Sequence, residues 1–140
     1  MPQEEISISR RLTNQLLHLA QQSPELEICG FLGGKKGYPV SCYPIHNIAV
    51  QPEQRYLFDP AQQIAAMKKM REAGEELFAI YHSHPTAPAI PSLKDLELAT
   101  YPEALYLIIS LSTRGVLEMR AFEIKQQVAA ELAIVLREDD

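Results

Sequence analysis

The sequence predicts an α/β fold, with helices packed on a mostly central sheet, and three observations carry that reading. Short apolar runs with aromatic and β-branched members, 77–81 and 105–111, read as buried strands. Stretches 12–22 and 61–72 instead repeat their apolar residues at helical spacing. Segments of the two kinds follow one another along the chain, which places helices against a shared sheet. With 140 residues, 46% hydrophobic and 22% charged, the chain has material for one domain with a real core, spanning 1–140, and too little for two of ordinary size.

In chain order, Met1–Glu5 reads as a frayed end, and Ile6 and Ile8 alternate with serines as a short strand does. Leu12, Leu16 and Leu19 form the stripe of a helix that runs to Gln22 and packs on the sheet until Ser23-Pro24 stops it. Residues 25–34 are a turn leading into a strand, Gly33–Gly37 a hairpin turn, and Tyr38–Ile45 the returning strand. Its Pro39 and Pro44 place it near a sheet edge. Ala61–Glu72 carries Ile64, Met67 and Met70 at helical spacing, stops before Gly74, and should cover the strand 77–81. Tyr101-Pro102 breaks the next helical pattern, and 105–111 is a fully buried strand. Thr113-Arg114-Gly115 turns the chain into Val116–Ile124, a strand with one wet face. In Val128–Leu136 the alanines and a glutamate suit a helix, so the residues alone leave helix and strand open.

Strand 77–81 runs straight into Tyr81-His82-Ser83-His84-Pro85, followed by Pro91-Ser92-Leu93-Lys94-Asp95. Alternate strand residues share a face about 6.6 Å apart, so both imidazoles can lean toward one ion. Pro91 and Ser92 suit a helix entry, and Ser92 and Asp95 then sit one turn apart. Two imidazoles and a carboxylate suit Zn²⁺, with a fourth position left for water, as in a catalytic site. Each half also has a plainer use: serine with an acid three residues later is a capping pattern, and a histidine at a strand end is often only a half-buried polar group.

Composition narrows the partners. A formal net charge of −5 argues against a nucleic-acid surface. Cys29 and Cys42 are too few for a disulfide framework and lack Cys-x-x-Cys spacing, which favours a reducing cytoplasm, and Cys29 is expected to be a buried, inert thiol. No leader-like opening and no apolar segment of membrane-spanning length is present, so neither secretion nor membrane insertion is expected.

His82-Ser83-His84-Pro85, the gap to Ser92 with Ala89 and Pro91 inside it, and Asp95 three residues on resemble the signature of the JAMM (MPN+) metalloprotease family. The segment Glu27-Ile28-Cys29-Gly30 resembles that family's first active-site segment, with Glu25 as the out-of-register competitor. The resemblance runs from Leu12 to about Phe122. It implies a mixed, partly curved sheet flanked by helices, like that of cytidine deaminases, and a strand rather than a helix for Val128–Leu136. It implies one zinc per chain on His82, His84 and Asp95, Glu27 as general base, and Ser92 as hydrogen-bond donor to the oxyanion. Asn47 and Asp59-Pro60 resemble positions that shape a loop and start a helix. The implied activity is hydrolysis, by a zinc-activated water, of a peptide or isopeptide bond after the Gly-Gly tail of a ubiquitin-like or sulfur-carrier protein. A non-catalytic scaffold of the same fold is the alternative, though the full residue set stands against it. A zinc nucleobase deaminase would need His-x-Glu and Pro-Cys-x-x-Cys, and neither occurs.

Overall fold

The computed structural model describes residues 5–113 and 116–138. Of the expected frayed end only Glu5 falls among these, and it already belongs to a strand; Arg114 and Gly115 of the expected turn lie outside them. The elements run β1 (Glu5–Ser9), α1 (Arg10–Gln22), β2 (Cys29–Lys35), β3 (Tyr38–Ile45), α2 (Pro60–Glu72), β4 (Glu76–His84), α3 (Leu93–Leu98), β5 (Leu105–Thr113), β6 (Val116–Lys125) and β7 (Val128–Arg137). The strands form one sheet in the order β1-β7-β6-β5-β4-β2-β3. Pairs β1/β7 and β4/β5 are parallel and the others antiparallel, so the sheet is mixed. It curls until the edge strands β1 and β3 approach one another. β3 lies at an edge, where its prolines cost no ladder bond on the open side.

Period-two alternation gives the sheet two apolar faces. Leu32, Ala79, Tyr81, Leu107 and Ile109 pack with Leu12, Leu16 and Ala20 of α1. Phe31, Ile80, Tyr106, Ile108 and Phe122 pack with Ala66 and Met70 of α2. β4 contributes to both, so His82 and His84 continue the face that carries Ile80.

The helix ends follow local chemistry. Ser9 Oγ accepts from the Leu12 N–H at 3.1 Å to start α1. Asp59 does the same for α2 from Gln62 at 3.1 Å, with Pro60 in the first turn. α2 ends at Gly74 (φ 72°), whose N–H reaches Arg71 O at 3.1 Å while Glu75 N–H reaches Met70 O at 2.8 Å.

Three local expectations need revision or are decided. Ile64 is 70% exposed, because α2 turns Ala66 and Met70 to the sheet and a 3.6-residue period carries position 64 off that face. Gly33 and Gly34 are strand residues rather than turn residues. A Cβ at Gly33 would collide with the Glu75 carboxylate, and the reversal is made by Lys36 and Gly37 alone, both at positive φ. The open segment Val128–Leu136 is strand β7. Gln126 (φ 52°) and Gln127 (φ 63°) make the tight turn into it, and Leu132 enters the core opposite Ala121.

Candidate metal centre

The two histidines stand at the end of a strand held on both sides. His82 is opposite Cys29 of β2 and Ile108 of β5, and His84 is opposite Ser110. Their Nε2 atoms are 3.1 Å apart. α3 brings the carboxylate: Ser92 Oγ accepts the Asp95 N–H at 3.0 Å, and Asp95 Oδ2 accepts the Ser92 N–H at 2.9 Å. That same Oδ2 lies 3.1 Å from the Nε2 of each histidine. The capping pattern and the candidate ligand are therefore one structure, and the cap fixes where the carboxylate points.

Three donors 3.1 Å apart make a compact triangle. Ligands about 2.0–2.1 Å from a tetrahedral ion stand roughly 3.3–3.4 Å from one another, so the set needs only a slight expansion to accept one. The protons point the same way. His84 Nδ1 donates to Pro88 O at 2.8 Å, which leaves the lone pair on Nε2 facing the Asp95 carboxylate. Two acceptors at that distance need a cation between them, either a proton or a metal. His82 has no such anchor; its buried Nδ1 is unpartnered, and the ring is held by stacking on Tyr56, with centroids 4.5 Å apart.

Burial alone would raise the Asp95 carboxyl, but hydrogen bonds from His82, His84 and the Ser92 amide bring it well below the usual carboxylate range. Burial pushes His82 down against the pull of Asp95. His84, also opposed by burial, is raised by Asp95 and by the Pro88 carbonyl.

Glu27 comes from far away in sequence and is buried beside the pair. A ligand atom from each of Glu27, His82 and His84 lies within 4.8 Å of the others, a group that could hold a metal ion. The Asp95 triangle is tighter and shares both histidines with it, and Glu27 stands beside it. Its Oε1 is buried without a partner, and burial lifts its carboxyl to about 8, with Asp95 adding to the rise while His84 and Arg55 oppose it. Glu25 is exposed.

The backbone around Glu27 is pinned from several sides. Its N–H donates to Pro52 O at 2.8 Å, and Asn47 Nδ2 donates to its carbonyl at 3.0 Å. Ile28 N–H reaches Ser83 Oγ at 2.9 Å, and Ser83 N–H reaches Ile28 O at 3.0 Å. Asn47 also donates to Arg55 O and accepts from Ala49 and Leu57, all at 3.0 Å, so one side chain organises the loop that delivers Tyr56. Sequence reasoning missed Ser83 and Tyr56. Strand parity could have flagged Ser83, which must point away from its flanking histidines; no spacing pattern marks Tyr56. Cys29 is buried, donates to Ile45 O at 3.3 Å, and has its thiol pushed up to about 12 by burial and then by Glu27. Ser92 is exposed at the cap.

The fold and the sequence have counterparts. A Desulfitobacterium hafniense protein of known solution structure superimposes with a TM-score of 0.85 at 35% identity, covering 96% of this chain and 94% of that one. The desampylase of Haloferax volcanii is 29% identical over 116 residues, 79% of this chain and 84% of that protein. The CysO-cysteine peptidase of Mycobacterium tuberculosis is 32% identical over 122 residues, 86% of this chain and 83% of that protein. Residues 9–125 match the family described as prokaryotic homologs of the JAB domain, and over that span the chain belongs to it.

Proposed function

We propose that this protein is a zinc-dependent peptidase or isopeptidase, a single domain over 1–140 carrying one zinc. Its substrate is a bond after the Gly-Gly tail of a ubiquitin-like or sulfur-carrier protein, and its place is the cytoplasm. The observation that carries the reading is the triangle of two imidazoles and one carboxylate with the unpartnered Glu27 oxygen beside it. A complete set of this kind supports an enzyme over a scaffold. The names of the relatives, a desampylase and a CysO-cysteine peptidase, support a protein-conjugate substrate. Among the described residues no helix is long and apolar enough to cross a membrane.

In this reading His82, His84 and Asp95 hold the ion. Zinc, when bound, supplies Lewis acidity and lowers the pKa of water toward about 7. Glu27 takes the proton of the attacking water and passes it to the leaving amine. Its buried Oε1, which no other group engages, is the atom available to take that proton. Ser92 Oγ is an acceptor from the Asp95 amide, so its own hydroxyl hydrogen remains to be donated to the developing oxyanion.

Metal content per chain, together with cleavage of Gly-Gly-linked conjugates followed by mass spectrometry with and without chelator, tests the proposal. Cleavage after Gly-Gly that stops on chelation and returns with zinc is the expected result. Stoichiometric zinc in a His82→Ala/His84→Ala variant, or a zinc-loaded protein inert on every such conjugate, would overturn it.

A further inference from the structure

Tyr106, Ile108 and Ser110 of β5 alternate onto the same face of the sheet as Ile80, His82 and His84 of β4, their partners in register. The first two enter the core, but the stripe ends in a serine at the position opposite His84. Only 2% of Ser110 is exposed, so its hydroxyl has left water and must find partners within the protein. It donates to the carbonyl of Ala87 at 2.7 Å, accepts the Ser112 N–H at 3.1 Å and has Ser112 Oγ 2.9 Å away. The first of these bonds reaches out of the sheet into the loop 85–92 that joins β4 to α3.

That loop has neither ladder nor helix to shape it, and His84 depends on it. Pro88 O accepts the His84 Nδ1–H at 2.8 Å and the Ile90 N–H at 2.8 Å, which occupies both of its lone pairs. Ser110 holds the neighbouring carbonyl. Its bond to Ala87 O fixes the plane of the Ala87–Pro88 peptide, and the proline ring holds φ of residue 88 at about −65°. The direction of Pro88 O then rests on one soft dihedral, ψ of residue 88, and the bond from Ile90 restricts that one. Ala89, wholly buried in the core on the α2 side, seats the loop against the sheet.

We infer that Ser110 is a positioning residue of the metal centre: through the Ala87–Pro88 peptide it aims the Pro88 carbonyl at His84 Nδ1, and so keeps His84 Nε2 turned toward the ion. The inference rests on zinc held by His82, His84 and Asp95, as read above, and adds to that reading a residue that touches neither ion nor substrate. The anchor on His84 carries extra weight because His82 has none of this kind, its Nδ1 being buried without a partner. A hydrogen-bond partner on the far nitrogen of a ligating histidine typically changes metal affinity by about 10- to 100-fold. Ser110 acts one step further out, so its loss should cost roughly tenfold, the lower end of that range.

The test measures zinc affinity by chelator competition, together with proton NMR of the zinc-loaded protein that follows exchange of the His84 Nδ1–H with water. Ser110→Ala should weaken zinc binding by roughly tenfold and speed that exchange. Ser110→Thr and Ser110→Val form a pair of nearly equal shape that differs in the hydroxyl. The threonine variant should stay near wild type on both readouts, and the valine variant should follow the alanine one. Thr13→Val controls for the plain loss of a buried hydroxyl: Thr13 Oγ1 donates to Ser9 O at 2.9 Å in α1, on the opposite face of the sheet, and its removal should move neither readout. Unchanged affinity and exchange in Ser110→Ala, or a threonine variant that fails as the valine one does, would overturn the inference and leave the zinc reading standing. An equal loss in Thr13→Val would overturn it too, since stability alone would then set the affinity. Wild-type protein that takes up no zinc would sink both readings together.

Discussion

The two halves of the candidate metal centre are built differently. His82, His84 and Asp95 come from one stretch of chain, and each is placed by the element it sits on, a strand paired on both sides or the first turn of a capped helix. Glu27, Arg55 and Tyr56 lie on irregular segments. Their segments are placed by hydrogen bonds made with Asn47, Pro52 and Ser83, and the Ile28–Ser83 contact bridges 55 positions of sequence. The first half is a product of secondary structure and the second a product of tertiary contacts. A lesion in the second should therefore damage chemistry and leave the ion in place.

The largest effect should come from the first half. His82→Ala with His84→Ala should lose both bound metal and activity, read by metal analysis and peptide cleavage on the same sample. Asp95→Ala should do likewise and also melt earlier, because it deletes an N-cap partner. Glu27→Gln separates the halves: zinc stays, while the rate falls by about 10² to 10⁴, the usual contribution of a positioned base. Glu25→Gln, at an exposed site, should change nothing.

Ser92→Ala tests the point where cap and catalysis share one hydroxyl. A loss of about 0.5–2 kcal/mol in a denaturant titration accounts for the cap. A further fall in turnover of roughly a hundredfold with zinc retained accounts for an oxyanion contact. A melting shift with turnover intact would leave only the cap. Asn47→Ala strikes the second half alone, since it orphans the amides of Ala49 and Leu57 and the carbonyls of Glu27 and Arg55. It should cost about 1–3 kcal/mol and slow cleavage with metal content unchanged. Loss of zinc in this variant would show that the halves are not independent.

A further effect concerns pH. In metal-free protein the Glu27 carboxyl holds its proton to about pH 8, whereas unfolded it ionises near 4.5. The native state therefore binds more protons between these values, and stability falls as pH rises through the window. Thermal melts from pH 4.5 to 8 should show that slope in wild type and a shallower one in Glu27→Gln.

The same division explains what could be read in advance. His82, His84, Ser92 and Asp95 are spaced by strand and helix periods, which are visible in a sequence. Glu27 carried no such signal and was reached only through the family resemblance around Cys29-Gly30. Tyr56 was out of reach as a site element, and the loop-shaping Asn47, like Glu27, came only from the resemblance, because loops fixed by long-range hydrogen bonds have no period. The misplaced turn at Gly33-Gly34 has a related cause. Gly33 answers to a side chain, Glu75, which also accepts from Ser41 and Tyr43 at 2.7 Å each, and Gly34 lies against Phe78 and the Tyr38 carbonyl, so their role lies in contacts and not in the local chain.

β1 has β7 as its sheet neighbour, in parallel register from Glu5 opposite Ala133 to Ser9 opposite Arg137. During synthesis β1 thus emerges long before the strand it pairs with exists. Hairpins β2/β3 and β5/β6 can close on their own, and Leu12 and Leu16 of α1 find partners in β2, β4 and β5, but β1, with Ile6 and Ile8, waits for β7 to supply its ladder. Closing so long a loop is entropically slow, and the waiting strand is apolar. Pairing of β1 with β7 should accordingly be a late folding step, and Ile6 and Ile8 of the nascent chain a part in need of a chaperone.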